Sequence, residues 1–104
     1  MTASGLTVGR RVIAEMVRLA AFEVPGVQHV GRAGPAWRRL FLAPAVSVRL
    51  REGRVTVRVA IVARPGQALA PLVGQVRAAV AATVERLLGL ELDGVSVVVD
   101  GVGG

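Results

Sequence analysis

The chain of 104 residues contains no cysteine and no lysine, and only three of its residues are aromatic. Without cysteine it forms no disulfide, has no thiolate nucleophile and offers no sulfur ligand to a metal. With so few aromatic residues, its core must be built from Val, Leu, Ile and Ala, which suit sheet faces and helix–sheet layers. The length is that of one small domain, so we expect residues 1–104 to share a single core.

The sequence also has no long stretch without charge. The longest, Pro65 to Val76, has 12 residues and two prolines, and is too short to span a bilayer. The chain does not open with a basic, apolar and cleavage-site pattern, so we expect no signal peptide. These features predict a cytoplasmic protein.

Negative charge is scarce as well, since the chain has 7 acidic residues against 13 basic ones, for a net charge of +6. Every basic residue is an arginine, and a GC-rich coding bias would favour Arg, Ala, Gly and Val together without any function. The charge nevertheless creates a field that attracts anionic partners such as nucleic acid or acidic lipid headgroups.

The longest regular pattern runs from Ala68 to Asp100 and predicts a helix followed by a strand. Residues of one helical stripe recur at three- and four-residue spacing. They are Leu69, Leu72, Val73, Val76, Val80, Thr83, Val84, Leu87 and Leu88. Gly89 is placed to end this helix in a left-handed conformation. Alternation from Val95 to Asp100 is typical of a strand with one face on a core.

An earlier helix is predicted from Val8 to Glu23, with Thr7 as its N-cap and residues 1–6 frayed or at most a short edge strand. Its apolar side holds Val12, Ile13, Met16, Val17, Leu19 and Ala20. Glu23 projects onto the centre of that side. Because burying an unpaired carboxylate costs several kcal/mol, we expect the last turn to fray or Glu23 to pair. Pro-Gly then favours a type II turn, followed by a strand, Val27–Arg32.

The clearest element is a hairpin of two alternating strands, Val46–Arg51 and Val55–Ala63, joined by Glu52-Gly53. A two-residue loop of this kind suits a primed turn with positive φ at the glycine. The loop fixes the register, which pairs Arg51 with Arg54, Leu50 with Val55, Val48 with Val57, and Val46 with Val59. Every inward pair is apolar, so turn and pattern agree.

The same register places Arg49, Arg51, Arg54 and Arg58 on the outer face of the hairpin. Like charges directly opposite each other are mildly destabilising, which makes this face a candidate anion-binding patch. The alternative is a solvated face that Asp100 partly neutralises. No aromatic residue lies on either strand, so a base-stacking surface is missing and nucleic-acid binding is the disfavoured interpretation.

Two further surfaces are candidates for contact with a partner or a second copy. The outer side of the second helix carries a small-residue strip, consisting of Gly74, Ala78, Ala81 and Ala82, which would let another helix approach closely. The high helix propensity of alanine explains the strip equally well. In the irregular segment 33–45, Trp37 and Phe41 either cover an open end of the core as a flap, contact a partner, or enter a membrane interface.

Catalytic and metal-binding patterns are absent from the sequence. There is no phosphate-binding glycine loop, dinucleotide fingerprint or nucleophile elbow, and His29 is the one histidine. We therefore expect no enzyme activity, no metal and no cofactor. The elements predict an α+β two-layer sandwich of order α-β-β-β-α-β, with two helices packed on one face of a small, mostly antiparallel sheet.

The end of the first helix, residues 20–27 (AAFEVPGV), resembles the alkaline-shock, or envelope-stress-response, protein family of Gram-positive bacteria. Further likeness lies at Gln75-Val76, Val80, Val84-Glu85, Leu88-Gly89-Leu90, Val95-Ser96-Val97, Val99 and Gly101-Val102. The resemblance runs from about Gly5 to Val102. It departs where the family usually has a threonine at Leu88, an asparagine at Ser96 and a Tyr-Gly at Arg64-Pro65-Gly66.

This resemblance implies a non-enzymatic cytoplasmic protein that lies at the inner face of the membrane. It would be recruited there by a membrane-anchored protein partner and would act as a scaffold or interaction protein of the envelope stress response. Homo-oligomerisation fits the same picture. Direct contact with lipid stays open, and a small arginine-dependent nucleic-acid-binding domain is the alternative function.

Overall fold

The computed structural model describes residues 9–35 and 44–103. Its elements are α1 (Arg10–Phe22), β1 (Val27–Val30), β2 (Val46–Arg51), β3 (Arg54–Ala63), α2 (Leu69–Ala82) with a π-helical turn (Thr83–Leu87), and β4 (Glu91–Val102). The predicted order α-β-β-β-α-β is confirmed. The predicted frayed residues 1–6 and the segment with Trp37 and Phe41 lie outside the described residues. The prediction that Thr7 caps the first helix was wrong, because α1 begins at Arg10 and the extended residue Gly9 is its N-cap.

Strand β3 is the centre of the sheet. It pairs antiparallel with β1 and β2 along one edge and parallel with β4 along the other. Along this shared edge, the partner of β3 changes from β2 to β1 at Ala60. The Ala60 N–H donates to the Ala45 carbonyl (2.7 Å), and the Ala60 carbonyl accepts from the Gly31 N–H (3.0 Å). The helix between β3 and β4 supplies the crossover that a parallel pair requires.

The β2–β3 hairpin has the register that the sequence predicts, from Val46 opposite Val59 to Arg51 opposite Arg54. Both loop residues adopt positive φ, 52° at Glu52 and 78° at Gly53. Two such angles are the signature of a type I′ turn, whose twist matches that of the flanking strands. Local chemistry alone therefore explains this part of the fold.

Both helices lie on one face of the sheet, where α1 packs on β1, β2 and α2, and α2 packs on β4. The fully buried centre consists of aliphatic side chains from both layers, namely Ile13, Val17, Val55, Val57, Val59, Ile61, Val76, Val80 and Val84. Four of them, Val55, Val57, Val59 and Ile61, come from alternate positions of β3, which explains why that strand is rich in β-branched residues.

The predicted phase of α1 was partly wrong, since Ile13 and Val17 are buried as predicted but two of the other residues are exposed. Its buried line is Ile13, Val17 and Ala21, whereas Val12 and Leu19 are 53% and 47% exposed. Apolar residues cover so much of this helix that their spacing did not fix which side meets the sheet. The rotation also removes the difficulty with Glu23, which is exposed as the C-terminal cap of the helix.

Several strand boundaries also differ from those predicted, including the start of β3 at Arg54 and the end of β4 at Val102. Strand β1 ends at Val30, before the predicted limit at Arg32, and β4 begins at Glu91 instead of Val95. The longer β4 arises because residues 91–92 continue the parallel ladder on Arg54 and Val55. Glu91 and Asp93 therefore belong to a strand, although their sequence suggests a turn.

The π-helical turn changes the end of the second helix. The Leu88 N–H donates to the Thr83 carbonyl, a spacing of five residues, so the turn holds one residue more than an α-helical turn. Leu87, which the spacing assigned to the apolar stripe, is consequently 65% exposed, while Val84 stays fully buried. Gly89 follows with φ of 67°, as predicted.

Substitutions at these two positions test the π turn. Leu87→Ala should change the free energy of unfolding by less than about 0.5 kcal/mol, as for exposed positions generally. Val84→Ala should cost about 2 kcal/mol, because it removes buried methyl groups and leaves a cavity. Urea unfolding of both variants gives the comparison, and equal losses would show that Leu87 is buried in solution.

Candidate anion-binding sheet face and helical contact surface

The face of the sheet opposite the helices is open around the hairpin. Two shallow depressions lie side by side there, with volumes of about 430 and 260 Å³. The first is lined by Arg49, Arg51, Glu52, Arg54, Thr56 and Asp93. The second is lined by Ser47, Arg49, Thr56, Val57, Arg58 and Ser96. Because both share Arg49 and Thr56, we treat them as one groove, called here the sheet-face groove.

Strand register explains the composition of the groove. Ser47, Arg58 and Ser96 form one row across β2, β3 and β4, and Arg49 and Thr56 begin the next. Side chains of one parity all project to the same face of a sheet. The structure thus brings the four predicted arginines to one face and adds three hydroxyl groups that sequence reasoning overlooked. Applying the same alternation of inward and outward side chains to β4 would have predicted that Ser96 lies on this face.

The four arginines are not equivalent. Arg54 Nε donates to Glu91 Oε1 at 3.0 Å, and Arg54 Nη1 lies 3.8 Å from Asp93 Oδ1. The hydrogen bond to Glu91 and the charges of both carboxylates raise the pKa of Arg54. These groups are exposed, so their contribution to stability is small. Their effect is to neutralise the turn end of the groove.

Arg49, Arg51 and Arg58 form no ion pair with any described residue. Arg49 and Arg58 occupy diagonal positions of the hairpin, so the backbone positions that carry their side chains are roughly 7–8 Å apart. Guanidinium groups are donors that match the geometry of carboxylate and phosphate oxygens. This section of the groove is therefore the part suited to hold an anion.

Asp100 lies at the other end of the open face. One of its oxygens accepts from the Ala33 N–H at 2.9 Å, and the other lies 3.8 Å from Arg32 Nη1. Both charged side chains are largely buried, with 15–16% of their surface exposed. Asp100 thus ties the chain leaving β1 to β4, whereas the acids beside the hairpin arginines are Glu91 and Asp93. Ala60 and Val62, which alternate with the core residues of β3 as Thr56 and Arg58 do, are buried.

The small-residue strip of α2 is partly open. Gly74 and Ala78 are exposed, while Ala81 and Ala82 are half-buried. A methyl group built at Gly74 meets nothing within 4 Å. The described chain therefore supplies no packing reason for a glycine there.

Residues with metal-binding or catalytic chemistry are dispersed over the described part of the chain. Within residues 9–35 and 44–103, no three His, Cys, Asp or Glu residues group as metal ligands would. Glu23 and His29 are exposed, and neither lines the sheet-face groove. In the same ranges, the helices are all too short or too polar to cross a bilayer.

Comparison with known proteins gives one family match. The model of the alkaline shock protein 23 family, described as having a cell envelope-related function, matches residues 2–103. This confirms the resemblance found in the sequence. No curated protein matches the chain.

Solved structures give a match of fold. A manganese form of the MamM CTD has a TM-score of 0.64 and 18% identity, covering 89% of this chain and 99% of that one. A copper form has a TM-score of 0.65 and 17% identity, covering 88% and 85%. At such identity the likeness concerns the fold alone.

Proposed function

The chain belongs to the alkaline shock protein 23 family, of cell envelope-related function, and from this we propose that it is a non-enzymatic scaffold of the envelope stress response. In this proposal the protein works in the cytoplasm, at the inner face of the membrane. It assembles with copies of itself, and a membrane-anchored protein partner holds it there.

The observation that carries the proposal is the apolar outer surface of the helical layer. Seven large hydrophobic side chains are exposed among the described residues, and five of them belong to the helices or the π turn: Val12, Leu19, Phe22, Leu69 and Leu87. Single exposed apolar residues are ordinary, but their concentration on one layer favours a protein contact there. The charged sheet face lies on the opposite side and stays accessible in such an assembly.

Gly74 adds a second argument from the same surface. A glycine inside a helix costs about 1 kcal/mol relative to alanine, and nothing within the described chain needs the space that it leaves. A second helix packed closely against Gly74 and Ala78 would make use of that space. The proposal therefore places the self-contact of the scaffold along the small-residue strip.

A larger side chain within the small-residue strip tests this contact. Gly74→Leu should weaken self-association at least tenfold, since the added side chain would hold the second helix away. The variant should at the same time resist unfolding as well as the original chain or better, because leucine is the stronger helix former by roughly 0.5–1 kcal/mol. Sedimentation equilibrium over a concentration series, with a thermal melt of each sample, measures both.

Ser47→Leu is the control, because it adds a leucine at an exposed position on the opposite face of the sheet, away from the small-residue strip. A protein that is monomeric at every concentration, or that responds equally to both leucines, would contradict the proposed contact. Recruitment is tested separately in cells. The protein should fractionate with membranes and be released when the gene of its crosslinked, membrane-anchored partner is deleted.

A further inference from the structure

We propose that the sheet-face groove docks on an acidic phospholipid surface, with Arg49 and Arg58 binding the headgroup phosphates. The inference rests on the proposed function only in placing the protein beside a membrane. It concerns the face opposite the helical contact surface, and it gives that face a ligand of its own.

The geometry of the groove supplies the donors for phosphate. Arg49 lines both depressions, and Arg58 lies in the smaller one between Ser47 and Ser96. With their chains starting about 7–8 Å apart, the two long side chains can converge on one phosphate or bind two neighbouring ones. Hydroxyl groups beside them can donate to the remaining oxygens.

The distribution of charge selects the same section of the groove. Carboxylates gather at the turn end, where Glu91 and Asp93 interact with Arg54. Away from that end, Arg49 and Arg58 are exposed and form no ion pair with a described residue. An anionic surface is therefore attracted along the β2–β3 side and repelled at the tip, which gives the docked protein an orientation.

The lining favours lipid headgroups over nucleic acid. Among the described residues it consists of guanidinium, hydroxyl and carboxylate groups with one valine, and none of these described lining residues is aromatic. Sequence-tolerant binding of single strands depends on aromatic stacking of the bases, and the carboxylates at the hairpin tip would oppose entry of the hairpin into a duplex groove. A membrane surface needs neither stacking nor insertion, since each nearby arginine adds electrostatic attraction to anionic headgroups.

Vesicle binding by the full chain tests the inference. The protein should bind vesicles containing phosphatidylglycerol and not vesicles of phosphatidylcholine alone. R49Q/R58Q should weaken binding about thirtyfold, or about fivefold for each arginine removed. Binding of the original chain should also fall steeply with added salt, as the Debye length shortens.

A matched double variant separates oriented docking from net charge. R11Q/R86Q removes the same two charges from exposed positions of α1 and the π turn, and should change binding less than threefold. E91Q/D93N should strengthen binding severalfold, because it frees Arg54 and removes two repelling charges. Thermal melts of all variants check that each is folded. Equal losses from the two arginine pairs would overturn the inference.

Two further binding measurements distinguish a lipid headgroup from a free phosphate and from nucleic acid as the ligand. Free glycerol phosphate should compete only weakly, because it offers one phosphate where the bilayer offers many. Tighter binding to a single-stranded RNA than to the vesicles, lost in R49Q/R58Q, would overturn the lipid assignment in favour of nucleic acid. The vesicles contain no protein, so failure here would leave the proposed scaffold intact. Failure of self-association or of partner-dependent recruitment would likewise leave the vesicle result unchanged.

Discussion

Gly26→Ala should lower the free energy of unfolding by about 2–3 kcal/mol. Gly26 has φ of 101°, where a side chain costs roughly 1–2 kcal/mol. A Cβ atom would also lie 2.5 Å from Gln67 Oε1 and 3.0 Å from Leu72 Cδ1. Such overpacking adds about 1–3 kcal/mol.

The exposed end of Gln67 can rotate away from the added methyl group, but Leu72 is buried and the backbone at Gly26 is held in place. Gly26 is buried between α1 and β1, and its carbonyl accepts from the Arg64 N–H at 2.8 Å. That hydrogen bond joins the turn after α1 to the end of β3, so a shift of the backbone would disturb both. For a domain of this size the loss corresponds to a fall in melting temperature of about 15 °C.

Gly66 provides the matched control, because its φ is 83° and a Cβ atom there meets nothing within 4 Å. Gly66→Ala should cost about 1 kcal/mol, the conformational part alone. Adding Gln67→Ala to Gly26→Ala should recover less than about 0.5 kcal/mol, because the exposed end of Gln67 can already rotate away. If the alanine variants at Gly26 and Gly66 had the same melting temperature, the close contacts at Gly26 would not exist in solution.

Asp100→Ala should lower the free energy of unfolding by about 2–3 kcal/mol. The substitution removes the acceptor of the Ala33 N–H and leaves the Arg32 cation without this carboxylate, in a site where both charged side chains are mostly buried. Hydrogen bonds to charged groups contribute about 1.5–3 kcal/mol, and leaving a buried partner behind adds to the loss. Urea unfolding measures the total.

Hydrogen exchange at the Ala33 amide locates the effect. In Asp100→Ala this amide should exchange faster by more than the loss of global stability explains, whereas the amides of the β2–β3 hairpin should follow global stability. Asp100→Asn keeps an acceptor oxygen while removing the charge, so it should cost about 1 kcal/mol and preserve most of the Ala33 protection. Unchanged exchange at Ala33 in Asp100→Ala would contradict the observed tie.

The parts of the fold that were correctly predicted are governed by neighbours in sequence. The hairpin register follows from its loop and its alternation, and the helix end at Gly89 follows from the conformational freedom of glycine. The parts that were missed depend on contacts far along the chain. The phase of α1 was set by the sheet that it meets, and β4 was extended by pairing of Glu91 with Arg54.

The candidate site divides in the same way. Alternation placed the hairpin arginines on one face, and the structure agrees. The difference in ion pairing among these arginines depends on a strand distant in sequence. Glu91 and Asp93 approach Arg54 only because β4 pairs parallel to β3. Asp100 likewise lies beside Arg32, 68 residues away in sequence, instead of neutralising the hairpin.

By itself, the sequence determined the order of the elements, the hairpin and the outward placement of the hairpin arginines. These follow from local periodicity, turn chemistry and composition, which act within a few residues. Only the tertiary structure decided which helix side is buried, that Leu87 is exposed by a π turn, and that Arg54 is the hairpin arginine that pairs with Glu91 and Asp93. Each of those outcomes depends on contacts between residues distant in sequence, which form only when the helices and β4 pack around β3.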